Sequence, residues 1–208
     1  MRVNEADVQL PGTMSLTFPG ESNLKLLAAL DCYGVEVSIG SACTADRIVP
    51  SHVLLGMGYG EQYALSTIRI SASPGNSMGD MHYVLKVFRE ICEQKLDNFA
   101  YLMPEHLTPE RRKSAYLVDI RWPYERILRQ SLSEAHEVNA LRFEAWSKTV
   151  PRDREIIMMC STGVISGLNG YKLALKGYDV KVLYGGYKAL DLRKSPISSL
   201  PVFAKMLI

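Results

Sequence analysis

Three short, dominantly apolar runs, Tyr116–Ile120, Ile156–Met159 and Val180–Tyr184, constrain the fold of this chain most strongly. A strand wetted on one face alternates apolar and polar residues. A run that does not alternate is covered on both faces, as in a parallel sheet layered by helices. Helical patterns fill the intervals at Pro123–Gln130, Asn139–Val150 and Val164–Lys176, the last stopped by Gly177. This order predicts an α/β sandwich with a parallel sheet. One hand-over within it bears chemistry: Met158-Met159-Cys160-Ser161-Thr162-Gly163-Val164-Ile165-Ser166-Gly167 runs from strand, through small residues, into helix. Cys160 would then face unpaired N–H groups and the positive end of a helix dipole. That setting favours the thiolate, the reactive form, and would also hold a persulfide anion. The competing reading is a buried packing cysteine, since free cysteines are among the most buried residues.

The first half follows a different pattern. Met14–Phe18 predicts a strand, Pro19-Gly20 a turn and Glu21–Leu30 a helix halted near Gly34. A strand at Val35–Ser38, a short helix at Pro50–Leu55 and a strand at Ile68–Ser71 come next. Met81, Val84, Leu85, Phe88, Ile91 and Cys92 then fall along one face of a long helix. The expected fold is a small α+β domain with helices on one side of a sheet. Met103-Pro104 interrupts the pattern, so the boundary is expected between Asp97 and Thr108, giving domains at 1–100 and 104–208.

Composition narrows the function classes. No apolar run approaches the roughly 20 residues that span a bilayer, and an N-terminus with Glu5 and Asp7 predicts no secretory signal. The four cysteines, at 32, 43, 92 and 160, form no CxxC pair and no ligand-like spacing with histidine. Neither a metal site nor a disulfide framework is expected, and a reducing cytoplasm is the expected location. The net charge of +2 divides unevenly: residues 1–103 hold 7 Lys/Arg and 11 Asp/Glu (−4), residues 104–208 hold 17 and 11 (+6). The basic half lacks an aromatic-interleaved basic stripe, so nucleic acid is not an expected partner. Small anionic substrates or an acidic protein fit as well, and a homo-oligomer is left open.

Several motifs of the first half occur together in order: Leu10-Pro11-Gly12-Thr13-Met14-Ser15-Leu16, Gly40-Ser41-Ala42-Cys43-Thr44, Pro50-Ser51-His52-Val53-Leu54, Met57-Gly58 and Ile68-Arg69-Ile70-Ser71. Residues 4–96 thereby resemble the C-terminal small domain of pyridoxal-phosphate cysteine desulfurases, of the class V aminotransferase type. The resemblance implies that Cys43 carries a persulfide on a small-residue loop and that Arg69 binds a substrate carboxylate, a pairing suited to guanidinium. The family's cofactor domain would precede this region. Lys25, Lys86 and Lys95 lie in helical stretches, outside the family's His-Lys context. The expectation is that this chain alone binds no pyridoxal phosphate and is not a self-sufficient desulfurase. The cofactor enters only if a separate cofactor domain pairs with it.

Residues 104–190 resemble a rhodanese-like sulfurtransferase domain. The resemblance rests on Leu117-Val118-Asp119-Ile120-Arg121 with Pro123 and Glu125, on the Cys160 loop, and on Gly177-Tyr178 leading to Val182-Leu183-Tyr184-Gly185-Gly186-Tyr187. It implies a catalytic Cys160, a persulfide cradle of Ser161, Thr162, Gly163, Val164, Ile165 and Ser166, and supporting roles for Asp119 and Arg121. The six-residue loop from Cys160 to Ile165 has the length associated with sulfur transfer. Ser166 stands where a Cys-x5-Arg phosphatase needs arginine. Ser161 and Ile165 replace the family's usual cations, and losing one charge-assisted contact costs about 1.5–3 kcal/mol. Thiosulfate is therefore expected to bind poorly and a protein persulfide to serve as donor. Gln130-Ser131-Leu132-Ser133-Glu134 replaces the family's Gly-His-Ile-Pro-Gly-like stretch at the pocket rim.

The expected function is a rhodanese-type relay: Cys160 takes sulfur supplied by a cysteine desulfurase and gives it to an acceptor protein or small thiol. The alternatives are a non-catalytic module that binds a desulfurase or its acceptor, and the small-domain half of a split cysteine desulfurase. Cys32 and Cys92 are expected to be packing residues, and His52, His82, His106 and His136 have no expected role.

Overall fold

The computed structural model describes residues 1–5, 10–40, 48–94 and 96–192. The chain divides into two units, Met1–Lys95 and Leu96–Ile208. In the first, chain order runs β1 (Arg2–Asn4), β2 (Thr13–Thr17), α1 (Asn23–Cys32), β3 (Ser38–Ile39), α2 (His52–Gly56), α3 (Glu61–Leu65), β4 (Thr67–Ser71) and α4 (Met78–Glu93). The strands form one antiparallel sheet in the order β1-β2-β4-β3. Leu16 and Ile68 lie opposite each other in register. They share a core with Leu26 and Leu30 of α1 and Val87 and Phe88 of α4. Phe18 stacks on Phe88 at 5.4 Å. The neighbouring inward side chains are polar but satisfied: Asn4 donates to Thr17 at 2.9 Å, and the Tyr63 hydroxyl donates to Asn4 at 2.6 Å.

Two expectations need correction here. The Val35–Ser38 strand shrinks to Ser38–Ile39, because only those residues find partners on β4. On α4, which a Ser77–Asp80 capping box starts, the inward face is Val84, Val87, Phe88 and Ile91. Leu85 is 63% exposed and Cys92 is exposed. These two lie seven residues apart, hence on one side of the helix, and that side turns outward.

The second unit runs β5 (Phe99–Leu102), α5 (Pro109–Ser114), β6 (Tyr116–Asp119), α6 (Pro123–Leu128), β7 (His136–Glu137), α7 (Phe143–Trp146), β8 (Ile156–Met159), α8 (Val164–Leu175), β9 (Val180–Leu183) and α9 (Gly186–Leu192). Its sheet, ordered β5-β9-β8-β6-β7, is parallel throughout. All four residues of β8 are buried, as are Leu117 and Val118 of β6 and Val180, Val182 and Leu183 of β9. This is the doubly covered layer that the apolar runs imply. Phe99–Leu102 does not belong with the first domain or the connector. It pairs in parallel with β9, and Phe99 meets Tyr171 of α8 edge-on at 5.2 Å. The helix expected over Asn139–Val150 is broken into a 3-10 turn at Ala140–Arg142 and the four-residue α7. The sequence also suggests a final helix starting near Pro201, which lies outside the described residues. Among the described residues no helix is long and apolar enough to cross a membrane.

Candidate functional site

The turn from β8 to α8 holds Cys160 under the first turn of the helix. It can do so only with glycine at two places. Gly163 has φ +89°, and a Cβ there would lie 2.8 Å from the Leu183 carbonyl oxygen. Gly186 has φ +57°, and a Cβ there would collide with the Cys160 carbonyl oxygen. That close approach lets the start of α9 grip the turn: Tyr187 N–H donates to the Cys160 carbonyl at 2.9 Å and Lys188 N–H to that of Ser161 at 3.1 Å.

Cys160 is 4% exposed. Its Sγ accepts from Gly163 N–H at 3.1 Å, Ser166 N–H at 3.4 Å and the Ser166 hydroxyl at 3.3 Å. Ser166 is fully buried, so its hydroxyl is committed to the sulfur. The N–H groups of Thr162, Val164 and Ile165 have no acceptor among the described residues, as expected for a helix start. The loop therefore offers donors both to the cysteine sulfur and to a further sulfur atom bound on it.

The end of β6 contributes a buried ion pair. Arg121 reaches Asp119 through Nη2 at 2.7 Å and Nε at 3.1 Å, with both side chains buried. Burial alone would push the Asp119 carboxyl up. Hydrogen bonds from Arg121 and Ser131, with the guanidinium charge, outweigh burial and hold it below its ordinary range. The Arg121 guanidinium also lies 3.6 Å over the Tyr187 ring. Burial pushes the Tyr187 hydroxyl up to about 12. Arg129 donates to the Tyr187 carbonyl oxygen. Asp119 and Arg121 thus fix the floor on which α9, and through it the loop, rests.

Three contributors escape sequence reasoning. Ser161 donates to Glu125 Oε1 at 2.5 Å, and Oε2 of Glu125 accepts from Trp122 N–H at 2.9 Å to start α6. Glu125 was visible only as part of a motif. Tyr101, on the strand absent from the sequence reading, is buried beside α8, and a Cβ on Gly167 would collide with its hydroxyl. Burial, with smaller electrostatic contributions from Cys160 and Tyr184, raises the Tyr101 hydroxyl above its ordinary value. Ser131, from the altered rim stretch, donates to Asp119 at 2.7 Å. A cavity of about 300 Å³ lies among Leu107, Arg112, Arg129, Gln130, Leu132 and Tyr187. It includes two residues of the expected rim, but its lining stops short of Cys160.

Cys43 lies outside the described residues. Arg69 is exposed on β4 of the first unit, opposite Ser15 and Ser38 in register. Cys32 is half-buried and Cys92 exposed, so Cys92 is not the packing residue expected. Among the described residues no cluster of His, Cys, Asp and Glu has the makings of a metal site.

A parallel sheet with a cysteine cradled between a buried strand and a helix start defines an α/β domain of the rhodanese type. Residues 104–192 match the family of rhodanese-like domains. The N-terminal region matches the C-terminal part of cysteine desulfurases, so the chain is a fusion of the two. Over 87 residues it is 51% identical to the putative cysteine desulfurase IscS 1 of Bacillus subtilis, covering 41% of this chain and 23% of that protein. Over 87 residues it is 37% identical to the cysteine desulfurase IscS of Clostridium botulinum, covering 42% and 22%. The chain thus spans less than a quarter of the length of these relatives. Among solved structures, a rhodanese-related protein from Thermoplasma volcanium aligns over 47% of this chain and 95% of its own, with 21% identity and a TM-score of 0.43.

Proposed function

We propose that this protein is a sulfur carrier of the rhodanese type, with Cys160 as the persulfide-bearing residue and a cysteine desulfurase as its supply. The observation that carries the reading is the three-donor cradle on Cys160 Sγ, with the Thr162, Val164 and Ile165 N–H groups unsatisfied beside it. In the transfer, Cys160 Sγ attacks the outer sulfur of a donor R–S–SH. A sulfur–sulfur bond forms on Cys160, the bond to R–S breaks, and R–S− leaves with a proton. No net oxidation occurs. An acceptor thiolate removes the sulfur by the same exchange in reverse.

The first unit supports the link to desulfurases by its sequence match, and we assign it the role of contacting the supply or the acceptor. Of the described lysines in this unit, Lys86 is exposed on α4 within 3.7 Å of Glu90, and Lys25 is half-buried on α1. The second reading, a binding module without turnover, draws on the low exposure of Cys160 and on a cavity whose lining excludes it.

The test is intact-mass analysis of the reduced protein after exposure to an active desulfurase with cysteine, alongside Cys160→Ser and Cys43→Ser. A gain of one sulfur atom that disappears only in Cys160→Ser is expected. Sulfur that persists in Cys160→Ser, or none at all, refutes the carrier role.

A further inference from the structure

The Cys160 loop has an acidic neighbour where a cation would help an anionic donor. Ser161, the residue after the cysteine, points its hydroxyl at Glu125 Oε1, 2.5 Å away. The Glu125 carboxylate is held there from its other oxygen by Trp122 N–H. Arg121 interacts electrostatically with Glu125, but its fork is already spent on the buried Asp119 carboxylate. Asp119, Arg121 and Glu125 together carry one net negative charge. Ile165, in the first turn of α8, adds only an apolar surface, 42% exposed. The next cation along the chain, Arg126, is bonded to the Asp119 and Val138 carbonyls and faces Glu137.

Resting on the carrier reading above, we propose that Glu125, held against Ser161, is the specificity-determining residue of the Cys160 site. It repels doubly charged donors such as thiosulfate and leaves the site to persulfides, which are protonated when their outer sulfur is attacked. The backbone donors bind the transferred sulfur whatever its source. Glu125 acts on the rest of the donor, which differs between the two classes: sulfite leaves from thiosulfate, a thiolate from a persulfide. Over one physiological Debye length, about 8 Å, and at an effective dielectric between about 40 and 80, removing one charge should speed reaction with a dianion by about 5- to 30-fold, and with a monoanion by about 2- to 6-fold.

The test compares the wild-type protein with Glu125→Gln, in which the amide can still accept from Trp122 N–H and preserve the helix start. Alkylation of Cys160 by iodoacetate and by the uncharged iodoacetamide is followed by peptide mapping at several ionic strengths. The expected result is a 2- to 6-fold rise in the iodoacetate rate relative to iodoacetamide in Glu125→Gln, with the wild-type iodoacetate rate rising with salt and the variant's nearly flat. An unchanged ratio, or a Cys160 that neither reagent reaches, overturns the proposal. Because alkylation needs no sulfur transfer, this result stands apart from the carrier reading. Persulfidation by thiosulfate in the same variant then measures donor choice, with a 5- to 30-fold gain expected. Alkylation that responds while sulfur loading fails with every donor would refute the carrier role and leave the charge effect intact.

Discussion

The Asp119–Arg121 pair offers the sharpest test of how the loop is supported. Substituting Asp119→Asn keeps the shape and removes the charge. It leaves the Arg121 guanidinium, 2% exposed, without its carboxylate partner. Removing one member of a buried pair costs about 3–5 kcal/mol, mostly as the penalty of a stranded charge. Two features place this case at the lower end. The Tyr187 ring 3.6 Å from Arg121 keeps some attraction, and Ser131 still has Glu137 as acceptor at 2.8 Å. We expect a loss of about 3 kcal/mol, which at a urea dependence of about 2 kcal/mol per molar lowers the midpoint by about 1.5 M. Both tryptophans, Trp122 and Trp146, belong to the second unit, so their fluorescence reports its unfolding without a signal from the first. The double variant Asp119→Leu/Arg121→Met should recover most of the loss, because a well-packed apolar pair avoids the desolvation that the ions suffer. A single-variant loss under about 1 kcal/mol, or a double variant no better than the single one, would refute the idea that the pair anchors this floor by charge.

Two further outcomes follow from the geometry. Gly186→Ala should destabilise the second unit by about 2–4 kcal/mol, through a positive φ and a clash that cannot relax without releasing the Cys160 and Ser161 carbonyls; urea unfolding gives the loss, and faster alkylation of Cys160 would show the loosened grip. Glu134 is held down to about 2 by its hydrogen bonds from Arg112 and Ser133. A carboxyl lowered in the folded state stabilises above its unfolded value near 4.5 and loses that contribution as pH falls toward 2; acid titration of Glu134→Gln should show a shallower decline in stability across this window than the wild type.

What the sequence disclosed depended on whether the signal was local. Ile156–Met159 could be read residue by residue because four consecutive apolar side chains leave no wet face. The hand-over to α8 was marked by Cys160, the small residues after it and Gly163. Phe99–Leu102 was not legible, since four residues between a polar stretch and Met103-Pro104 show no period, and their partner strand begins at Val180. On α4 the apolar residues span more than half a turn, so spacing alone could not choose between Cys92 and Val87 as the inward residue. The match of Asp119 with Arg121 was open to sequence reasoning because they are two residues apart. The match of Ser161 with Glu125, 36 residues apart, was not.

The position of Phe99–Leu102 has a consequence for synthesis. This strand leaves the ribosome before the rest of its sheet, yet among the described strands it pairs only with β9, the last of them to be made. Phe99 and Tyr101 must wait, unburied, until nearly the whole second unit has emerged, and closing so long a loop is slow. A fragment begun at residue 104, where the family match starts, would leave the edge of β9 bare and α8 without its aromatic neighbours. Such a fragment would carry the cysteine loop and still present an open strand edge for other chains to join.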